Sequence, residues 1–159
     1  MVKEAIDIPL IAAGGIGTGK GMLAAMTLGA DAVQIGSRFV ASEESSAHQA
    51  FKETVVDAKE GDTQLTLKEI TPVRLIKNEF YNQVNQAYEN GAGKEELVDL
   101  LGRGRAKKGM FEGNLVDGEL EIGQVSGLIN EIKPAGEIVK EIIEEYNKTK
   151  KEISSLPVY

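Results

Sequence analysis

The chain has 159 residues, a formal net charge of −7, one histidine and no cysteine. The negative charge argues against nucleic acid as a partner, and the lack of cysteine excludes disulfides, thiolate nucleophiles and cysteine metal sites. A metal site built from several histidines is excluded as well, while a hydrophobic content of 42% is enough for a folded core.

The sequence shows no sign of a membrane anchor. None of its apolar runs reaches the roughly 18 residues that a spanning helix needs, and the N-terminus lacks the apolar stretch of a secretory signal. We therefore expect a cytoplasmic protein that has neither a membrane nor a nucleic acid as its partner.

The first 40 residues predict a strand, a helix and a second strand. Residues 8–13 form one apolar run, and residues 30–35 form another. Between them, apolar residues recur at helical spacing, with Thr18 as the predicted helix cap and Gly29 as the stop. This order is typical of a βαβ unit, so we expect two parallel strands joined by one helix.

Each predicted strand ends at a turn of small residues. Gly14 and Gly15 follow the first strand, and Gly36 and Ser37 follow the second. Parallel strands place both turns at the same end of the sheet, where unshielded backbone N–H groups can bind a phosphate. The alternative is that the glycines only allow tight turns. In a (β/α)₈ barrel the loops after the last two strands form the usual phosphate site, which favours the binding interpretation.

The later part of the sequence predicts a mostly helical region with one hairpin. Its apolar residues recur mainly at steps of three and four, and glycine, asparagine and proline mark its turns. The expected elements are a helix capped by Ser42, an extended segment at residues 64–70, a helix from Thr71 and Pro72 to Asn90, a helix at residues 94–101, a hairpin at Asp117 and Gly118, and a last helix after Pro134.

Several blocks along the chain share their pattern with one known family. The blocks are Ala13-Gly14-Gly15-Ile16 and residues 29–39, 42–48, 71–78, 100–107 and 121–124. Together they resemble the family of FMN-dependent enoyl-ACP reductase II and nitronate monooxygenase, and the later blocks are more similar to the reductase branch. The resemblance covers nearly all of this chain but only the C-terminal half of the family's protein.

The resemblance implies an α/β fold. Residues 1–60 would form the last two βα units of an FMN-binding TIM (β/α)₈ barrel, and residues 61–159 a mostly helical C-terminal cap with a β-hairpin. A complete barrel takes roughly 200 residues or more, so we expect a truncated chain, a fragment or one part of a split protein. Homo-oligomer formation, or pairing with the missing barrel half, would cover the open strands.

The resemblance also implies the cofactors. FMN would bind through its phosphate at Gly14, Gly15, Gly36 and Ser37, with NAD(P)H as a co-substrate. Gln124 would reach the flavin or the substrate, or else would only start a helix.

The resemblance leaves three functions open. The favoured function is the reduction of an enoyl thioester on acyl carrier protein by NAD(P)H through FMN. The second is the oxidation of alkyl nitronates with O₂ at the same FMN site. In the third, the chain is an inactive fragment, or a subunit that binds flavin only with a partner. The catalytic histidine that the resemblance implies belongs to the absent half and is not transferred to His48, so no catalytic residue is assigned.

A basic loop interrupts the acidic chain and contains Arg103, Arg105, Lys107 and Lys108. One interpretation is a solvated loop with internal ion pairs. The other is contact with an anionic partner, either the phosphates of a nicotinamide cofactor or an acidic carrier protein. Both substrates of the reductase bring phosphate, so convergence of these cations with Arg74 and Lys77 at one site would favour the reductase branch.

Overall fold

The computed structural model describes residues 1–157 of the chain. This part contains two small sheets and six α-helices, joined by turns and loops. The strands are β1 (Ile11–Ala13), β2 (Ala32–Gln34), β3 (Thr63–Thr66) and β4 (Val73–Ile76). The α-helices are α1 (Gly19–Thr27), α2 (Ser37–Val40), α3 (Gln49–Asp57), α4 (Glu79–Glu89), α5 (Lys94–Leu101) and α6 (Ala135–Ser154). Short 3₁₀ turns lie at Lys3–Ala5 and Gln124–Leu128, and a π-helical turn lies at Lys107–Phe111. No helix within residues 1–157 combines the length and apolar character needed to cross a bilayer.

The N-terminal βαβ unit forms as the sequence predicts. β1 and β2 pair in parallel, with Ile11 opposite Ala32, and α1 connects them. Thr18 caps α1, because its Oγ1 accepts a hydrogen bond from the N–H of Gly21 at 3.0 Å. Gly29 follows the helix with a φ of 102°, a conformation that favours glycine. Both strands are shorter than the apolar runs that contain them.

Much of the apolar surface of the parallel sheet is uncovered. Within residues 1–157, β1 and β2 pair only with each other. Ile11 keeps 59% of its surface exposed, Ile8 67% and Leu28 84%. Parallel strands are normally covered on both faces and paired on both edges. The open surface therefore agrees with two βα units of a larger barrel.

The second sheet is antiparallel and gains a third segment from late in the chain. β3 and β4, which are consecutive, form the antiparallel pair of the cap. Residues 119–122 run beside β4: the N–H of Ile76 donates to the carbonyl of Leu120 at 3.0 Å, and the N–H of Ile122 donates to the carbonyl of Arg74 at 3.1 Å. β4 is therefore the central strand of this sheet.

The helix predicted from Thr71 and Pro72 is wrong in its first part. These residues precede β4, and the helix α4 begins later, with Asn78 as its cap. The Asn78 Oδ1 accepts a hydrogen bond from the N–H of Tyr81 at 3.0 Å. Pairing of β4 with β3 and with residues 119–122 outweighs the local threonine–proline signal, since strand formation depends on such non-local neighbours.

The hairpin predicted at Asp117 and Gly118 is also wrong. Both residues lie in a turn, but residues 119–122 pair with β4 instead of folding back on the preceding residues. The Asn114 Oδ1 closes the turn by accepting from the N–H of Asp117 at 2.8 Å. Gly118 lies so close to Gly109 that a Cβ on Gly118 would overlap the Gly109 Cα. Glycine here permits a backbone contact and not a hairpin.

The helix predicted from Ser42 starts later in the structure, as α3. His48 caps α3, because its Nδ1 accepts from the N–H of Ala50 at 3.2 Å. Ser42 is buried, and its hydroxyl donates to the carbonyl of Phe39 at 2.8 Å. Ser42 also forms a parallel bridge with Lys133, so the chain is held extended at this point and the helix cannot yet begin.

Two hydrophobic clusters form the core of the described residues. The larger cluster consists of Ala41, Phe51, Val55, Ile76, Leu120, Ile122 and Ile129. The smaller one consists of Leu67, Leu75, Phe80, Val84 and Leu97. The larger cluster takes side chains from both sides of residue 60, so the barrel-type segment and the cap pack against each other, and the division at residue 60 stays a prediction.

Candidate functional site

The two glycine turns lie together at one cleft. β1 and β2 are parallel, so the turns that follow them lie at the same end of the sheet. The cleft has a volume of about 230 Å³. It is lined by Ala13, Gly14, Gly15, Ile16, Gln34, Gly36, Ser37, Gly123 and Val125. The structure therefore brings together the four residues that the sequence proposes for phosphate binding.

The glycines of this cleft face open space. Gly14 and Gly15 have φ angles of 91° and 70°, which other residues rarely adopt, and a Cβ on either would meet no heavy atom within 4 Å. Gly36 has an ordinary φ of −104°, and a Cβ there would also meet nothing within 4 Å. The backbone at all three positions is therefore accessible to a ligand.

Ser37 completes the lining with a hydroxyl group. Its Oγ accepts a hydrogen bond from the N–H of Gly123 at 3.0 Å. A Cβ on Gly123 would lie 2.7 Å from this oxygen, so the short distance requires glycine. Because the hydroxyl accepts from Gly123, its own O–H remains free to donate. Ser37 is also the first residue of the short helix α2, in which the N–H groups of Phe39 and Val40 donate to the carbonyl of Gly36.

Gln124 lies beside the phosphate cleft and not in it. It is exposed, starts the 3₁₀ turn Gln124–Leu128, and lines an adjoining cavity of about 490 Å³. Gly15 and Val125 line both spaces. Sequence reasoning missed Gly123, although it lies in the same family-like block as Gln124.

His48 has a structural role. Its Nδ1 caps α3, and its ring packs against Gly113, where a Cβ would overlap the imidazole. Among the described residues that line the cleft and the adjoining cavity, His48 does not occur. In this structure His48 acts as a helix cap, and the absence of a catalytic role for it stays a prediction.

The basic loop is engaged inside the cap. The guanidinium of Arg105 lies 4.4 Å from the centroid of the Phe80 ring. The same side chain donates to the backbone carbonyls of Leu100, Leu101 and Asp117 at 2.8–3.1 Å. These contacts tie the end of α5 to α4 and to the turn at Asp117, so the structure favours the structural interpretation at Arg105.

The neighbouring cations are engaged too. Lys107 pairs with Glu112 at 3.0 Å, and Lys108 pairs with Asp117 at 3.3 Å. Arg74 donates to the backbone carbonyl of Thr63 at 3.2 Å. None of these three cations lines the phosphate cleft or its adjoining cavity in the described chain.

A buried carboxyl group in the cap has a shifted pKa. Burial raises the pKa of Glu119 to about 7; the negative charge of Glu121 adds to the rise, and Arg105 opposes it. The side chain is 6% exposed. Glu119 lies outside the residues that line the cleft, so this sensitivity to pH belongs to the cap.

Comparison with known sequences gives one family. A family model described as nitronate monooxygenase matches residues 1–145. A probable nitronate monooxygenase of Staphylococcus saprophyticus is 34% identical over 147 residues, which cover 91% of this chain and 41% of that protein. The chain thus spans about two fifths of the length of this curated relative.

Comparison with solved structures gives the architecture. FabK of Thermotoga maritima is 39% identical, with a TM-score of 0.85 over 96% of this chain and 49% of that one. A nitroalkane oxidase of Streptomyces ansochromogenes is 31% identical, with a TM-score of 0.72 over 96% of this chain and 43% of that one. The chain belongs to the nitronate monooxygenase family, and its fold is the C-terminal portion of a TIM barrel, its last two βα units followed by a mostly helical cap.

Proposed function

We propose that this chain forms the FMN phosphate-binding end of a flavin-dependent oxidoreductase. The observation that carries the proposal is the single cleft shared by two glycine turns at the ends of parallel strands. Backbone N–H groups and a hydroxyl that can donate are what a phosphate dianion needs.

The residues of the cleft fit an FMN phosphate. The space in front of Gly14, Gly15 and Gly36 is open, so a phosphate could approach their backbone closely. The N–H groups of these turns and the hydroxyl of Ser37 would hold it. Gln124, in the adjoining cavity, would face the flavin ring or the substrate. When bound, FMN supplies the two-electron redox chemistry, while this chain binds and orients it.

The site needs the rest of the barrel. β1 and β2 leave Ile8 and Ile11 more than half exposed, and two strands cannot enclose a flavin ring. We propose that the preceding barrel strands cover this surface, either in the same polypeptide or in a partner, and that the isolated chain is inactive. By the full-length protein we mean this chain preceded by that part of the barrel.

For the reaction, we propose that the full-length protein reduces enoyl thioesters carried by acyl carrier protein with NAD(P)H. The family-like blocks after residue 40 are more similar to the reductase branch. The identity to FabK, 39%, also exceeds the 31% identity to the nitroalkane oxidase.

Nitronate oxidation with O₂ is the second candidate, and two observations favour it. The curated relative from Staphylococcus saprophyticus carries the name probable nitronate monooxygenase. The argument from a cationic mouth is also weakened, because Arg105 donates to backbone carbonyls of the cap, while Lys107 and Lys108 pair with Glu112 and Asp117 at its surface.

A substrate comparison in the full-length protein tests the reaction. We expect rapid NAD(P)H oxidation with a crotonyl thioester as acceptor, and slow turnover or none with an alkyl nitronate and O₂. The flavin absorbance of the same sample shows whether cofactor is present. Efficient nitronate oxidation without NAD(P)H would replace the reductase proposal with the second candidate and leave the FMN site unchanged.

A further inference from the structure

The C-terminal helix α6 contacts the helices that follow both glycine turns. It packs along α1, which begins at Gly19 after the first turn, and it also meets α2, which begins at Ser37 in the second turn. A single helix therefore lies behind both halves of the phosphate cleft. It bonds directly to the start of α1, and it is linked to α2 through residues 131–133.

On the side of the first turn, α6 bonds the N-terminus of α1. The Glu145 Oε2 accepts a hydrogen bond from the N–H of Gly19 at 2.6 Å, across 126 positions of sequence. The first N–H groups of a helix have no acceptor within it, and Thr18 accepts from the N–H of Gly21. A carboxylate at the positive end of a helix makes a stronger hydrogen bond than a neutral acceptor.

Glycine at position 19 allows this close approach. A Cβ on Gly19 would overlap the carbonyl oxygen of Ile142 and the backbone nitrogen of Tyr146. Gly19 is buried, and Ile142 is 8% exposed. The crossing fixes the start of α1 on α6 at a point four positions after Gly15, so little chain is left between the anchor and the turn.

On the side of the second turn, α6 is anchored near α2. Arg38, which follows Ser37, is 8% exposed, and its Nη1 donates to the carbonyl of Glu131 at 3.2 Å. Lys133 pairs with the carboxylates of Glu131 and of Glu141 in α6. Residues 131–133 thus link Arg38, next to the second turn, to Glu141 of α6, while Glu145, one helical turn after Glu141, reaches the first turn.

We propose that Glu145 is a positioning residue for the phosphate cleft. By holding the first turn of α1 against α6, it sets the distance between the first glycine turn and the second. Two sets of N–H donors bind one phosphate only when that distance is correct, so loss of the anchor weakens phosphate binding without removing any donor. This role rests on the proposed function, whereas the contact with Gly19 does not.

The test compares FMN with riboflavin, which lacks the phosphate, in the full-length protein. We expect Glu145→Ala to weaken FMN binding about tenfold and to leave riboflavin binding unchanged, because a lost charged hydrogen bond corresponds to about this factor. Glu145→Gln keeps an oxygen acceptor but loses the charge, so it should restore part of the affinity. Glu144→Ala is the matched control, since the exposed Glu144 only approaches Lys140 at 3.8 Å.

Equal losses for FMN and riboflavin would overturn the positioning role, and so would unchanged FMN binding. A wild-type protein that binds no FMN would overturn the proposed function, and the positioning role with it. The contact itself is tested separately by amide hydrogen exchange of Gly19 in the 159-residue chain. Faster exchange in Glu145→Ala but not in Glu144→Ala supports the contact, and unchanged exchange refutes it.

Discussion

The glycines in the turns of the cleft have surroundings opposite to those of Gly109 in the cap. In the βαβ unit, a Cβ on Gly14, Gly15 or Gly36 would meet no heavy atom within 4 Å. In the cap, a Cβ on Gly109 would lie 2.5 Å from the carbonyl oxygen of Glu119. The turns of the cleft leave their backbone open to a ligand, whereas protein atoms fill the space beside Gly109.

The cleft and the cap also differ in the charge of the groups that could bind a phosphate. The cleft of the βαβ unit is lined by glycine backbone and the hydroxyl of Ser37, whereas the cap carries the basic loop. Yet Arg105 and Lys108 already contact Asp117, and Lys107 pairs with Glu112. A basic, glycine-rich sequence is therefore weak support for a phosphate site, because what occupies the space in front of the donors decides the function.

The largest effect is expected from matched glycine substitutions on the two sides of this comparison. Gly118→Ala should destabilise the chain by about 3 kcal/mol or more, because its Cβ would overlap the backbone of Gly109. Gly36→Ala should change stability by less than about 1 kcal/mol, since its Cβ meets open space. Urea unfolding of both variants measures the difference. Equal losses would remove the contrast between a filled and an open region.

The next effect concerns the basic loop. Arg105→Ala should destabilise the fold by about 2–4 kcal/mol, since it leaves the carbonyls of Leu100 and Asp117 without this donor and removes the contact with Phe80. Arg103→Ala, at an exposed position of the same loop, is the control and should have little effect. If both variants unfold at the same urea concentration as the wild type, the loop is free for a ligand after all.

A smaller effect, which depends on pH, is expected at Glu119. Its folded pKa is raised from 4.5 to about 7, so the fold favours the protonated form. The stability from this group is complete below about pH 4.5 and is lost as the pH rises through about 7. Glu119→Gln should therefore be more stable than the wild type by about 2 kcal/mol at pH 8, and the two should converge near pH 4.5.

Thermal unfolding at several pH values follows this difference. Glu89→Gln removes one carboxyl charge at an exposed position and is the control. A constant offset between Glu119→Gln and the wild type from pH 4.5 to 8 would refute the buried, protonated carboxyl.

Local sequence was sufficient where the structure depends on neighbouring residues. The glycine turns of the βαβ unit and the cap at Thr18 follow from short-range patterns, and the structure confirms them. The helix predicted at residues 94–101 is α5, and the helix predicted after Pro134 is α6. In each case the deciding signal is a helix-capping residue, or a glycine or proline that stops a helix, and it lies within a few residues of the helix end.

Local sequence failed where distant segments decide the structure. Thr71 and Pro72 indicate a helix, but the strand β4 follows them because β3 and residues 119–122 pair with it. Similarly, nothing near Ser37 predicts that its hydroxyl accepts from Gly123, which is 86 positions away. No local pattern links Glu145 to Gly19 either, since that bond depends on how α6 crosses α1.

The central claim is that the open cleft of the βαβ unit binds the FMN phosphate, and Gly36→Asp in the full-length protein tests it most directly. The ordinary φ of −104° and the open space mean that the fold itself tolerates a side chain here. A carboxylate in the cleft would repel the phosphate and occupy its place. Gly93→Asp adds the same charge at an exposed, extended glycine that caps α5 and is the matched control.

The measurement is the flavin content of the purified variants, read from their absorbance spectra, with the affinity for added FMN as a second value. We predict that Gly93→Asp keeps the flavin content of the wild type, and that Gly36→Asp binds FMN at least about 100-fold more weakly, because placing like charges together costs several kcal/mol. Undiminished flavin in Gly36→Asp would contradict the assignment of the cleft as the phosphate site.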